Sequence, residues 1–304
     1  MKQPSFFIVG APKCGTTALC KYLSCHPDIF VPPLKELNFF DIDIKSNKKA
    51  NSLSEYLNFF AEGKGKICGE GSPTYLRSEK AAQEIYNFNP DAKIIIMLRE
   101  PVSLLYSLHS QNLYNGSSED IKDFKLAIEA ESDRKSGKRI PKICVNPQDL
   151  YYRDVVKFTE QIERYFNVFG KENVKIIIFD EFQKDINKTY QETLMFLGVN
   201  PVFEIEFKKI NSNKQVRNTT LQQLVKRPPS KVLEIGKYFI PLPREKRRAL
   251  LEKIKEQIKR LNTKRTSRPP LDEEFRQQLQ QEFAPEIQRL SNLIGRDLSH
   301  WYRS

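Results

Sequence analysis

Histidine and tryptophan are scarce in this chain of 304 residues, which has three His, one Trp and five cysteines with no Cys-x-x-Cys pair. That shortage removes the usual ligand sets for structural zinc, and an odd, scattered cysteine count supports no disulfide framework. Internal repeats and low-complexity linkers are also lacking. No apolar run approaches the length of a membrane span. The first apolar stretch follows Met1 within a few residues, so the expectation is a cytoplasmic protein with no signal peptide or anchor. Charge balance is missing too. The formal net charge is +12, and most of it sits between Lys226 and Arg268, where fifteen Lys or Arg stand against four acids. Such a segment suits nucleic acid, an anionic membrane or an acidic glycan, or it is a solvated helical face. No aromatics interleave the cations from Arg244 to Arg268, which favours the last and argues against nucleic acid as a partner.

What is present begins at Phe6. The run Phe6-Phe7-Ile8-Val9, the loop Gly10-Ala11-Pro12-Lys13-Cys14-Gly15 and the segment Thr16-Thr17-Ala18-Leu19 read as strand, tight turn and helix. Such a loop is an anion site: backbone amides and the positive end of the helix dipole meet an anion, Lys13 adds a cation, and Thr16 and Thr17 add hydroxyls. Gly10 and Gly15 have the spacing of the nucleoside triphosphate loop G-x-x-x-x-G-K-[ST], yet Thr16 stands where its Lys belongs and the cation has moved to Lys13. The plainer alternative is a Gly/Pro turn between any strand and helix.

Hydrophobic content of 39% and charged content of 29% fit a globular α/β protein, read here as one domain over residues 1–304. Further strands are expected at 29–31, 66–70, 93–98 and 173–179, joined by helices at 79–87, from Pro101 onward, over 149–167 and from 180 to 197, which implies parallel crossovers. Residues 34–41 mix charged and aromatic side chains without a period, as a site-lining segment does. Glu36 lies between apolar neighbours, where partial desolvation raises a carboxylate toward the range of a general base, or else it is a surface Glu paired with Lys35. Arg99 ends a strand, and Ser107 lies two helical turns further on. Residues 115–148 read as a cover over the substrate cleft. Residues 220–304 read as mostly helical, closing with an amphipathic helix marked by Phe275, Leu279, Phe283, Leu290 and Leu293. His26, His109 and His300 are each more readily structural than catalytic, and His109, beside Ser107, is the nearest to a candidate.

Together, the loop from Lys13 to Thr17, the run Lys35-Glu36-Leu37-Asn38-Phe39-Phe40-Asp41, the pair Gly69-Glu70 with Ser72-Pro73-x-Tyr75-Leu76, and Arg99 with Ser107 resemble sulfotransferases that use PAPS (3′-phosphoadenylyl sulfate). The heparan-sulfate-type branch and its bacterial relatives are most similar. Phe196-Leu197-Gly198 and Leu293-Ile294-Gly295-Arg296-Asp297-Leu298-Ser299-x-Trp301 extend the likeness over nearly the whole chain.

The resemblance implies a P-loop-like three-layer fold, with a central parallel sheet of about five strands flanked by helices and a helical C-terminal segment. It also implies an enzyme of the EC 2.8.2 type. Lys13, Cys14, Gly15, Thr16 and Thr17 would hold the 5′-phosphosulfate, and Arg99 and Ser107 the 3′-phosphate, with Lys214 and Arg217 as a second 3′-phosphate loop. Lys13 would stabilise the leaving phosphate and Glu36, or else Glu70, would be the base. PAP (3′,5′-adenosine bisphosphate) would be the product, and no metal is needed. Lys35, Asn38, Glu70, Ser72, Tyr75 and His109 are candidates for the acceptor side. Two departures stand out: Asn38 replaces a His that some members carry, and Gly71 replaces a Lys with which glycan enzymes hold substrate. A small hydroxyl- or amine-bearing metabolite is thus as well supported as a glycan. A P-loop kinase and a nucleic-acid binder using residues 226–268 are the competing readings.

Overall fold

The computed structural model describes residues 3–45, 48–115, 118–142, 144–208, 214–216 and 268–303, with 250, 254, 257–258 and 261–265 between the last two. In chain order the elements begin β1 Phe6–Gly10, α1 Thr16–Leu23, β2 Ile29–Phe30, α2 Leu53–Asn58, β3 Ile67–Gly71, α3 Ala81–Phe88, β4 Lys93–Leu98 and α4 Pro101–Asn115. They continue with α5 Phe124–Glu129, α6 Glu131–Lys135, α7 Tyr152–Val155, α8 Phe158–Phe169, β5 Val174–Ile178, α9 Phe179–Lys184 and α10 Ile186–Phe196. A short pair, β6 Lys214–Val216 and β7 Thr263–Arg265, precedes α11 Glu273–Ile294. Two compact units result: Met1–Leu108 with Tyr151–Asn211 and Leu271–Ser304, and His109–Leu150 with Ser212–Pro270.

The first unit is a three-layer α/β fold around a parallel five-stranded sheet in the order β2-β3-β1-β4-β5. Central β1 and β4 are continuous apolar runs because both faces are covered. Phe6, Phe7, Ile8 and Val9 of β1 are fully buried, as are Ile94 to Leu98 of β4. Helices α3 and α11 pack on α8, and α1 packs on α10. The sheet order reverses direction beside β1, which places the loop after β1 at a topological switch point, where open α/β sheets bind ligands.

Three helical expectations needed correction, the first because a contact distant in sequence decides a boundary and the other two because local caps do. The stretch 149–167 is not one helix. Backbone at Tyr151 and Lys157 leaves the helical region. The buried Gln161 amide donates to the Asp154 carbonyl at 2.9 Å, and Glu286 of α11 accepts from the Thr159 amide at 2.7 Å, so the break is bonded from outside. The stretch after β5 divides at Asp185, whose carboxylate caps α10 through the Lys188 amide at 2.9 Å. The final helix is α11 alone, bounded by the Asp272 cap and by left-handed Gly295, with Pro285 inside it. A separate turn, Ser299–Trp301, follows it.

In the second unit, Glu119 and Arg134 form a fully buried bidentate pair at 2.9 and 2.6 Å. The Glu119 carboxylate also accepts from the Asp120 and Ile121 amides, which completes its lone pairs. The β6 and β7 strands pair antiparallel, with Lys214 opposite Arg265.

Candidate active site

The chain turns sharply after β1. Ala11 donates its amide to the Met97 carbonyl at 2.6 Å, and Leu76 donates to Val9 at 2.7 Å, so the loop's base is tied to both neighbouring segments. Lys13 (φ 66°) and Gly15 (φ 90°) then take left-handed backbone conformations. Gly15 has a second reason to be glycine: a Cβ there would come within 3.1 Å of the Phe179 ring and 3.3 Å of Phe182. Helix α1 opens directly after it with no side-chain cap and no acid in its first turn. Its first N–H groups and the positive end of its dipole are left for an anion.

Two cations join this loop from elsewhere in the chain. Arg99, at the end of β4, directs Nη1 to the Lys13 carbonyl at a weak 3.4 Å and lies 4.8 Å from the Phe179 ring centroid. The aromatic face holds the guanidinium without neutralising it. Lys35 donates from Nζ to the Thr17 hydroxyl at 2.9 Å. Ser107 lies two turns along α4 and is buried. The start of α4 already has its own anion: Glu100 accepts from the Val102 and Ser103 amides at 2.9 and 2.7 Å. Further anion binding near there therefore falls to side chains. Cys14 is buried, which pushes its thiol pKa far up, so it contributes to the loop as a neutral group.

The segment 35–41 is built differently. Glu36 (φ 59°) and Asn38 (φ 51°) are both left-handed, and the Glu36 amide donates to the Gly71 carbonyl at 3.2 Å. The expected desolvation of Glu36 does not occur, because its side chain is exposed. The buried carboxylate is Glu70, 2% exposed. One of its oxygens accepts from the Tyr56 hydroxyl at 2.5 Å, and the other from Ser72 at 2.5 Å and Tyr75 at 2.9 Å. Burial raises the Glu70 pKa, and the three hydroxyls offset part of that rise. The Ser72 and Tyr75 hydroxyl oxygens in turn accept from the Asn38 amide at 3.2 Å and the Phe39 amide at 2.9 Å. Thr74 donates to Asp41 at 2.7 Å, and its hydroxyl oxygen lies 3.1 Å from the Asn38 side-chain oxygen. Gly71 has no room for a side chain: a Cβ would come within 2.5 Å of the Cys20 sulfur and 3.5 Å of the Lys35 stem.

Most of the residues singled out in the sequence therefore gather in two neighbouring clusters. Lys13, Cys14, Gly15, Thr16, Thr17, Arg99 and Lys35 belong to the anion loop, while Asn38, Glu70, Ser72 and Tyr75 form a buried network. Lys35 and Glu36 join the two through Thr17 and Gly71. His109 stands elsewhere, in the second unit, where its Nε2–H donates to the Ile121 carbonyl at 2.8 Å and burial lowers its pKa. Lys214 opens β6 in that unit. Arg217 lies outside the described residues, as does most of the basic segment 226–268. Two contributors escaped notice in the sequence. Phe179 carries a faint signal as an aromatic directly after a core strand, whereas Tyr56 carries none, being an ordinary apolar position of a short helix.

The site is thus an open parallel sheet whose first strand leads through left-handed backbone into a helix with no side-chain cap, with Arg99 and Lys35 beside the turn. The chain belongs to the sulfotransferase family: the family model for the sulfotransferase domain matches residues 3–290. A solved sulfotransferase from Alicyclobacillus acidocaldarius superposes with a TM-score of 0.72 and 29% identity, covering 100% of each chain. Human heparan sulfate glucosamine 3-O-sulfotransferase 5 is 28% identical over 203 residues, 65% of this chain and 54% of that protein. A Drosophila melanogaster bifunctional heparan sulfate N-deacetylase/N-sulfotransferase is 22% identical over 222 residues, 66% of this chain and 20% of that protein. The chain thus spans about half or less of the length of these curated relatives. Among the described residues, no helix is long and apolar enough to cross a membrane.

Proposed function

We propose that this protein moves a sulfuryl group from PAPS to a hydroxyl or amine of a small metabolite or glycan, and that its two units form one sulfotransferase domain. The observation that carries this reading is the uncapped start of α1 behind left-handed Lys13 and Gly15, with Arg99 bonded to the loop's own backbone. The continuous family match across both units supports the single domain. The loop fits a phosphosulfate: its donors are backbone N–H groups and hydroxyls, and its charges are Lys13 and Lys35.

PAPS supplies a sulfuryl group on a phosphate that departs readily. Lys13 and the first turn of α1 stabilise the negative charge that grows on that phosphate, an electrostatic contribution already oriented before reaction. Lys35 donates to the Thr17 oxygen, which leaves the Thr17 proton to be given to the donor's phosphosulfate. Arg99 and Ser107 hold the 3′-phosphate and so fix the donor's orientation. Glu36, exposed and tethered by its amide to Gly71, takes the proton from the acceptor. Gly71 leaves no side chain at the position where glycan enzymes of this family place a Lys, which keeps small and cationic acceptors open.

Calorimetric titration with PAP in EDTA, with ATP as the comparison, tests the donor assignment. Binding that requires the 3′-phosphate and weakens at least tenfold in Arg99→Ala supports it; binding of Mg-ATP without PAP overturns it in favour of a kinase.

A further inference from the structure

We infer that Glu70 is a positioning residue, one that fixes the segment carrying Glu36 through the hydroxyls of Ser72 and Tyr75. The inference rests on the reading of Glu36 as the base. Glu70 itself is poorly placed to take a proton from an acceptor. It is 2% exposed, and three hydroxyl donors already occupy its oxygens. The use of those hydroxyls is more telling than their number. A hydroxyl has one proton to give, and the Ser72 and Tyr75 protons point at Glu70, so their oxygens are left as acceptors for the backbone. Those oxygens receive the amides of Asn38 and Phe39, two and three residues past Glu36.

The need for such an anchor is visible in the backbone. Glu36 and Asn38 both sit in the left-handed region, which non-glycine residues leave when nothing holds them. The Glu36 amide bonds to Gly71, the residue next to Glu70, so the same end of β3 grips the segment on both sides of Leu37. The carboxylate orients both hydroxyls, and each hydroxyl orients an amide. Tyr56 donates to the other Glu70 oxygen, and its ring stacks on that of Phe39 with centroids 4.6 Å apart. A charged acceptor at Glu70 is required for this polarity. A neutral amide at that position presents an N–H to at least one of the hydroxyls, turning a donor–acceptor chain into a conflict.

The test uses Tyr75→Phe and Ser72→Ala, each of which cuts one relay, beside Glu70→Gln, Glu36→Gln and a stability control, Gln161→Leu in α8. Activity is read as reverse transfer from 4-methylumbelliferyl sulfate to PAP. The sulfur–aryl oxygen bond breaks, a bond from sulfur to the PAP 5′-phosphate forms, and the aryl oxygen leaves with a proton returned by Glu36. Tyr75→Phe and Ser72→Ala are each expected to lower kcat about ten- to a hundredfold, with KM for PAP changed less than about twofold. Hydrogen exchange at the Asn38 and Phe39 amides should quicken in the same variants and stay slow in Gln161→Leu, which lowers Tm but keeps kcat. Unchanged kcat in both relay variants, or unchanged exchange at both amides, overturns the inference. Wild-type kcat in Glu36→Gln overturns instead the assignment of the base, whatever the relay variants do. Should Glu70→Gln fail to fold, the two relay variants carry the test alone.

Discussion

The loop from Gly10 to Thr17 follows β1 and the segment from Leu34 to Asp41 follows β2, two strands that β3 separates in the sheet, and they reach their shapes by opposite means. The first is shaped by its own residues: a left-handed Lys13, an obligatory Gly15 and a helix start, with partners added at the edge. The second has two left-handed residues that are not glycine and owes its shape to side chains more than thirty positions later. A loop that encodes itself tolerates change around it, whereas a loop held by a remote carboxylate fails when that carboxylate fails. Each expected outcome below probes one side of this contrast.

Lys13 should show the largest effect. Lys13→Ala removes the loop's own cation from a partly exposed position, so the fold should stand while turnover drops about 10²- to 10³-fold, the usual loss for one donor to a developing anion. Reverse-transfer kinetics beside a thermal melt check this. A melt lowered as much as the activity would mean that the loop, too, depends on side chains for its shape.

Gly15→Ala strikes the same loop through its backbone. With φ at 90° and the Phe179 ring 3.1 Å from the added methyl, the expected loss is about 1–3 kcal/mol of stability, measured by urea denaturation. Loss of PAP binding should accompany it, since Phe179 also supports Arg99.

This contrast also explains what the sequence could disclose. The five strands and the tight turn from β1 to α1 were legible because buried parallel strands are unbroken apolar runs and because the turn's glycines, Lys13 and threonines are adjacent in the chain. The placement of Arg99 at the end of the fourth strand, and of Ser107 two turns along the helix after it, was legible through their spacing. The exposure of Glu36 was not, since the leucines at 34 and 37 say nothing about which way a left-handed residue turns. The partnership of Glu70 with Tyr56 was equally hidden, because fourteen residues and a strand boundary separate them. The break at Lys157 depends on Glu286 of α11, a contact without any local trace.

Glu70 offers a pH test of the segment that depends on remote partners. Its carboxyl is raised above the ordinary value of 4.5, chiefly by burial. The folded protein therefore binds more protons than the unfolded chain just above that value, and stability falls as pH rises through the window up to the raised pKa. In Glu70→Gln this part of the stability curve should flatten. Urea midpoints collected from about pH 4 upward read it directly. A slope in that window unchanged by the substitution would show that Glu70 is not the group titrating there.

Tyr165 supplies the smallest and most local effect. Its buried hydroxyl donates to the Tyr75 carbonyl at 2.9 Å, on the backbone side of Tyr75 rather than on its phenol. Tyr165→Phe removes a single hydrogen bond from a carbonyl and should cost about 1 kcal/mol in a urea titration. Turnover should hold, because the Tyr75 phenol keeps both its bond to Glu70 and its grip on Phe39. Support for the segment would then be specific to the hydroxyl relay rather than to the packing of Tyr75 as a whole. A kcat that fell as far in Tyr165→Phe as in Tyr75→Phe would show that general rigidity, and not the polarity of the Glu70 network, holds Glu36 in place.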